Sequence, residues 1–169
     1  AYYRPSFNDI KSVLQPCDVV LIEGKSRVSN AIQFITSSDW SHAAIFIGKT
    51  DYFKHSLIEV KAVEGCKYTD INVYKQHNLR VCRPIFLNQR KRKILLSHLI
   101  KKIGAKYDLK NIIDLMRYLY PNPPVPKKFR RNLIGIGAGD PTKAICSTLI
   151  AAAFKEIEHP ILPYKDKIK

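Results

Sequence analysis

The chain has 169 residues, 46% hydrophobic and 25% charged, the balance of one ordinary globular domain rather than of a disordered or fibrous chain. A net charge of +15, with a pI near 9.8, points to an anionic partner (nucleic acid, acidic lipid or an acidic polymer) or to plain solubility, and carries no information about fold. The longest apolar run, Ala144–Phe154, falls short of the roughly 18 residues of a membrane span and contains Cys146, Ser147 and Thr148.

The chain begins Ala1-Tyr2-Tyr3, without an initiating Met or a visible signal peptide, so its compartment is not read from it and an exported or periplasmic location stays open. Residues 1–16 read as an arm or short helix ended by Pro16. Val19–Ile22 is short, apolar and β-branched, which predicts a buried strand. Ser29 offers an N-cap to a helical turn carrying Ile32, Phe34 and Ile35, and Thr36–Asp39 is a polar break. Ala43–Ile47, closed by Gly48, predicts a second buried strand, and Leu57–Val60 a third, with Gly65 ending that segment. Ile71–Tyr74 and Leu79–Arg83 are shorter strand candidates, and the close spacing of all five predicts an antiparallel meander.

The second half changes character. From Gln89 to Lys106, Ile94, Leu95, Leu99 and Ile103 recur at helical spacing with basic residues between them. A further helix is expected over Leu109–Leu119, after which Pro121–Pro126 forbids regular structure. The basic stretch Lys127–Arg131 follows. Gly135, Gly137 and Gly139 then lead into a last helix around Ile145–Ile157. The expectation is one α+β domain over residues 1–169, a small central antiparallel sheet with helices added at its ends.

Cysteines stand at 17, 66, 82 and 146 without any C-x-x-C pair, so neither a zinc ribbon, a thioredoxin-type motif nor a disulfide framework is expected. A free buried Cys behaves as a small apolar residue. Cys146 needs a separate account, because it follows a Gly-rich loop at or near a helix start. Unpaired N–H groups and the positive end of a helix dipole lower a thiol pKa there. The effect is full if the helix starts near Ile145, and fades if Asp140 caps it and Pro141 is its first residue. The alternative is a core Cys in an apolar helix.

His42 opens a buried strand just after the polar Ser38-Asp39-Trp40-Ser41. A Cys nucleophile needs a base within hydrogen-bond reach, and a His at a sheet edge is placed to supply it. Glu59 sits inside an apolar strand, where an unpaired carboxylate is costly. In a hairpin around Asp51, a register setting Glu59 opposite Ala44 or His42 puts His42 and Glu59 on one face, and a slip of one residue separates them. The other reading of Glu59 is a solvent-facing strand position. His55, His77, His98 and His159 lack metal-ligand spacing, and neither metal nor cofactor is expected.

The order of these pieces resembles the permuted papain-like hydrolases of the YiiX/YebB type, related to NlpC-type cell-wall hydrolases and lecithin–retinol acyltransferase. The matching pieces are Cys17–Leu21, Ser29–Gln33, Trp40–Gly48, Leu57–Val60, Gly104–Asp108 and Cys146–Ile150. The resemblance implies a permuted papain-like, NlpC-type α+β fold. It also implies Cys146 as nucleophile, His42 as base and Glu59 as the acid that orients it, with Tyr107 and Asp18 near the cleft. Trp40 is expected to shield the His42 side or simply to pack. Asp108 serves equally as a helix N-cap before Leu109. Cys17 departs from the family, which usually has Gly before the Asp.

The implied activity is hydrolysis of an amide or ester in a cell-wall peptide, another peptide or an acyl lipid, through an acyl-enzyme. Lys127, Lys128, Arg130 and Arg131 are candidates for contact with an anionic surface, either a membrane or an acidic polymer. The competing reading is a basic binding module for such a partner, membrane surface or nucleic acid, with a degenerate site.

Overall fold

In a computed structural model, residues 5–61, 64–85, 87–105 and 141–159 are described. Ser6 caps the first helix, α1 (Phe7–Val13), through a reciprocal pair. Its backbone N–H donates to Asp9 Oδ2 at 2.8 Å, and its Oγ accepts from Asp9 N at 3.2 Å. Strand β1 (Val19–Ile22) lies where the apolar run predicts it. Helix α2 (Arg27–Thr36) begins earlier than expected. Its N-cap is Ser26, and Ser29, the predicted cap, instead donates its N–H to Ser26 Oγ at 3.0 Å.

Strands β2 (His42–Gly48) and β3 (Ser56–Lys61) form the centre of a five-stranded antiparallel sheet of order β4-β3-β2-β1-β5. Both are covered on two faces, which is why they read as continuous apolar runs rather than alternating ones. Strand β4 (Gly65–Asp70) is a difference from expectation: Gly65, at φ 76°, opens a strand instead of closing a segment. Ile71–Tyr74 is a 3₁₀ turn and not a strand. Asp70 Oδ1 accepts from Asn72 N at 2.9 Å and ends the extended chain, and Ile71 and Tyr74, three apart, turn inward together. Strand β5 (Leu79–Cys82) completes the sheet.

Helix α3 (Gln89–Lys101) is capped by Asn88, and the last helix, α4, runs Pro141–Glu156. One face of the sheet packs Ala43, Ile45, Ile58 and Val60 against Leu95 and Leu99 of α3 and Leu149, Ile150, Ala153 and Phe154 of α4. The opposite face buries Val20, Ile22, Ala44, Phe46, Leu57, Ile71 and Tyr74, with Phe7 and Leu14 at its border. Each large side chain so buried contributes about 1.5–3 kcal/mol. This is the α+β arrangement expected, a central antiparallel sheet with flanking helices. The helix expected over Leu109–Leu119 and the proline-rich stretch lie outside the described residues.

Candidate active site

His42 is the first residue of β2, and the chain leading into it is tied down. Ser41 N–H donates to the Ile22 carbonyl at 3.1 Å, and Gly24 N–H donates to Ser41 Oγ at 3.0 Å. A Cβ on Gly24 would lie 2.2 Å from Ser29 Oγ and 2.6 Å from Ser41 Oγ, so only glycine lets α2 close against this turn. Trp40 is half-buried two residues before His42, and its backbone N–H donates to Ser38 Oγ at 3.2 Å.

The β2–β3 register pairs Ile45 with Ile58, and one step along it sets Ala44 opposite Glu59. His42 and Glu59 therefore share a face. Their side chains meet, with His42 Nε2 2.6 Å from Glu59 Oε2. The Glu59 carboxylate is fully buried, yet it is well supplied with donors. Thr69 Oγ1 donates to Oε1 at 2.6 Å, the Tyr74 hydroxyl donates to Oε2, and Lys61 Nζ lies 3.4 Å from Oε1. Thr69 and Tyr74 carry no signal in the sequence that marks them as site residues. Finding them required β4 and the turn after it, the two places where strand patterning fails.

Cys146, 8% exposed, comes from α4 to the same imidazole, and a side-chain hydrogen bond links it to His42. With Nε2 turned to Glu59, Nδ1 is the ring nitrogen left for the thiol. Burial pushes the Cys146 thiol up, but the hydrogen bond and charge of His42 outweigh it, helped by the backbone N–H groups of Ala43 and Ser147, so its pKa lies below the ordinary value. Burial pulls His42 down, but its bonds to Cys146 and Glu59 outweigh that and raise it to about 9. Burial also pushes Glu59 up. His42 first, then Thr69 and Tyr74, overcome this and bring it to about 2. Burial and the charge of Glu59 keep the Tyr74 phenol protonated. The electrostatics favour a resting thiolate–imidazolium–carboxylate line. His42 keeps about a fifth of its side chain exposed, which leaves that line open to a reactant.

Asp18 stands apart from this constellation. Ile22 pairs with His42, so Asp18 lies four residues back along β1, about 13 Å away at strand rise. Its buried carboxylate is occupied by Arg83, Nε at 2.9 Å and Nη2 at 2.8 Å, and by Gln15 N–H at 2.8 Å. Cys17 is fully buried at φ 80°, a left-handed backbone that favours glycine, and burial pushes its thiol up to about 11. Tyr107, Asp108, Lys127, Lys128, Arg130 and Arg131 lie outside the described residues. His55, His77, His98 and His159 are half-buried. Among the described residues no group of three or more His, Cys, Asp or Glu is placed to hold a metal.

A family model for permuted papain-like amidase enzymes of the YaeF/YiiX type matches residues 13–120. The chain belongs to that family. The matched segment includes His42 and Glu59 and ends before Cys146. Among solved structures, the chain is similar to a crystal structure titled as the metalloprotein YiiX from Escherichia coli. The TM-score is 0.55 and the identity 20%, over 85% of this chain and 66% of that one, a likeness of fold. The chain thus spans about two thirds of that protein's length. A search of the curated proteins found no match. Membership of this family gives the chain a permuted papain-like fold.

Proposed function

We propose that the protein hydrolyses an amide or ester bond through a Cys146–His42–Glu59 triad. The observation that carries the reading is the unbroken line from thiol to imidazole to buried carboxylate, with the thiol pKa lowered and the imidazole pKa raised. The Cys146 thiolate attacks the carbonyl carbon, and its electron pair moves onto the oxygen. Collapse of the tetrahedral adduct breaks the bond to the amine or alcohol, which leaves with the His42 proton. Neutral His42 then takes a proton from water, the resulting hydroxide attacks the thioester, and the carboxylic acid leaves, losing its proton to solvent, as the thiolate–imidazolium pair re-forms. Glu59 holds the ring and supports its positive charge throughout.

The substrate class stays as wide as the chemistry: a cell-wall or other peptide amide, or an acyl ester of a lipid. The basic residues Lys127, Lys128, Arg130 and Arg131 are part of the same proposal, as contacts to an anionic surface. The test is alkylation of the native protein by iodoacetamide across pH, read site by site by mass spectrometry. Cys146 is expected to react fastest of the four cysteines below pH 7, and to lose that advantage in His42→Ala. Cys146→Ser is expected to keep its fold and lose turnover on amide and ester panels. A Cys146 that reacts only near the ordinary thiol pKa of about 8.5 would overturn the triad and leave a basic binding module.

A further inference from the structure

From Ile71 to Tyr107 the chain contains ten Lys and Arg and no Asp or Glu. Within this segment α3 turns Leu95 and Leu99 inward and leaves Arg90, Lys93, Ile94, Ser97, Ile100 and Lys101 exposed. At about 100° per residue these six fall on one face, opposite the buried leucines. Lys91 and Arg92 are drawn back to the fold. Lys91 Nζ donates to the Glu158 carbonyl at 3.3 Å, and Arg92 donates to the Leu87 and Pro16 carbonyls at 3.1 and 2.9 Å. Arg90, Lys93 and Lys101 remain as outward cations, and among the described residues no carboxylate pairs with them. Ile94 and Ile100 are 42% and 47% exposed between them, and Ile85, just before the helix, is 68% exposed.

We propose that this face of α3 docks the protein on a membrane surface rich in anionic lipid headgroups. The cations supply attraction to lipid phosphates, and the isoleucines supply what a nucleic acid or acidic polysaccharide has no use for, an apolar contact at the headgroup boundary. No described helix is long and apolar enough to cross a membrane, and the contact proposed is a surface one. The C-terminal end of α3 lies at the same end of the sheet as Glu59. Gly104 N–H donates to the Cys66 carbonyl at 2.8 Å and Cys66 N–H to the Ala105 carbonyl at 2.9 Å, returning the chain after α3 to Cys66, which pairs with Val60 beside Glu59. Docking by α3 therefore tethers the protein, with its proposed hydrolase site, at the lipid surface. This deepens the hydrolase reading, on which it rests for its acyl-ester substrate class, but the docking itself needs no turnover.

The test is co-sedimentation of the full chain with phosphatidylcholine vesicles, with and without phosphatidylglycerol. Wild type and Cys146→Ser are expected to pellet equally with the anionic vesicles, to stay soluble with the neutral ones and to be released by raised salt. Lys93→Glu with Lys101→Glu is expected to weaken binding at least about tenfold, at roughly one headgroup attraction lost and one repulsion gained per reversal. Ile94→Ser with Ile100→Ser is expected to weaken vesicle binding severalfold while retention on a heparin column is unchanged. An unaltered Cys146 alkylation profile in both double variants shows that they fold. Failure to pellet, equal pelleting with neutral vesicles, or isoleucine variants that bind like wild type would overturn the proposal, the last pointing to a polyanion held by charge alone. Loss of activity in Cys146→Ser with vesicle binding intact keeps the two readings separable.

Discussion

Replacing Glu59 by Gln tests the centre of the site. The exchange keeps shape and removes the charge that faces His42 Nε2 at 2.6 Å. Opposite charges centred about 4 Å apart at an effective dielectric near 20 attract by about 4 kcal/mol, equivalent to roughly three pKa units at most. The Gln carbonyl oxygen retains part of this, so His42 is expected to fall from about 9 by about two units. At pH 8 the imidazolium fraction then falls from about nine tenths to about one tenth, so the Cys146 thiolate loses its counter-ion there and its alkylation should slow by about tenfold. Turnover is expected to drop further, by up to about 10⁴, because the carboxamide also unsettles the ring's tautomer. The stability arm has a definite sign. Glu59 is depressed from 4.5 to about 2 in the fold, so its contribution is fully present above pH 4.5 and is lost as pH falls toward 2. That contribution is about 3 kcal/mol, and urea titrations between pH 7 and 3 should show wild type losing part of it and Glu59→Gln not. His42 and Glu59 are two halves of one pair, so their shifts are not added. A Glu59→Gln protein alkylated at pH 8 within about threefold of wild type would refute the coupling on which the triad rests.

Three further outcomes follow from the surroundings of the site. Tyr74→Phe removes a donor to the Glu59 carboxylate and is expected to cost about 1–3 kcal/mol in urea melts at pH 7, with the Glu59 pKa moving up from about 2 in a carboxyl NMR titration. Asp18→Asn breaks the two-pronged bond from a partly exposed Arg83 and is expected to destabilise by about 1–3 kcal/mol while leaving the Cys146 alkylation profile unchanged; a changed profile would return Asp18 to the cleft. Cys17→Gly is expected to be at least as stable as Cys17→Ala in thermal melts, reversing the usual preference of about 0.5–1 kcal/mol for Ala, because the backbone at Cys17 sits at φ 80°.

The parts of the fold legible in sequence were those with doubled apolar signals. Val19–Ile22, Ala43–Ile47 and Leu57–Val60 are buried runs that a strand explains at once, and the structure places strands over each. Strand β4 was not legible. Gly65-Cys66-Lys67-Tyr68-Thr69-Asp70 is an edge strand with one β-branched residue, and its position comes from the register with β3 rather than from its own pattern. Ile71–Tyr74 misled for the opposite reason: its apolar residues suit a strand, but Asp70 offers the backbone a cap, and the local hydrogen bond wins. The meeting of His42 with Glu59 was legible only as one of several registers, since period-two patterning allows a pairing without choosing it. Asp18 next to a strand start looked available to a cleft. Its burial under Arg83, 65 residues away in sequence, is a long-range pairing that no local pattern announces.

The activation of Cys146 has a different physical source from the one its sequence context suggests. A glycine-rich lead and an apolar run make a helix start near Ile145 attractive, and a thiol in the first turn would draw its acidity from free N–H groups and the dipole. Helix α4 begins at Pro141, which sets Cys146 in the second turn, where the end effect has faded. Its thiolate is held instead by His42, by Ala43 N–H from β2 and by Ser147 N–H. The first two of these belong to the strand, so the acidity of the thiol depends on how α4 docks against the face of the sheet over β2 and β3. Leu149, Ile150, Ala153 and Phe154 fix that docking against Ala43, Ile45, Ile58 and Val60. The proposed nucleophile is thus prepared by the tertiary core, whereas a helix-start mechanism would have prepared it locally. This separates two sorts of loss: changes at His42 or Glu59 act on the charge of the site, and cavities under α4 act on its geometry.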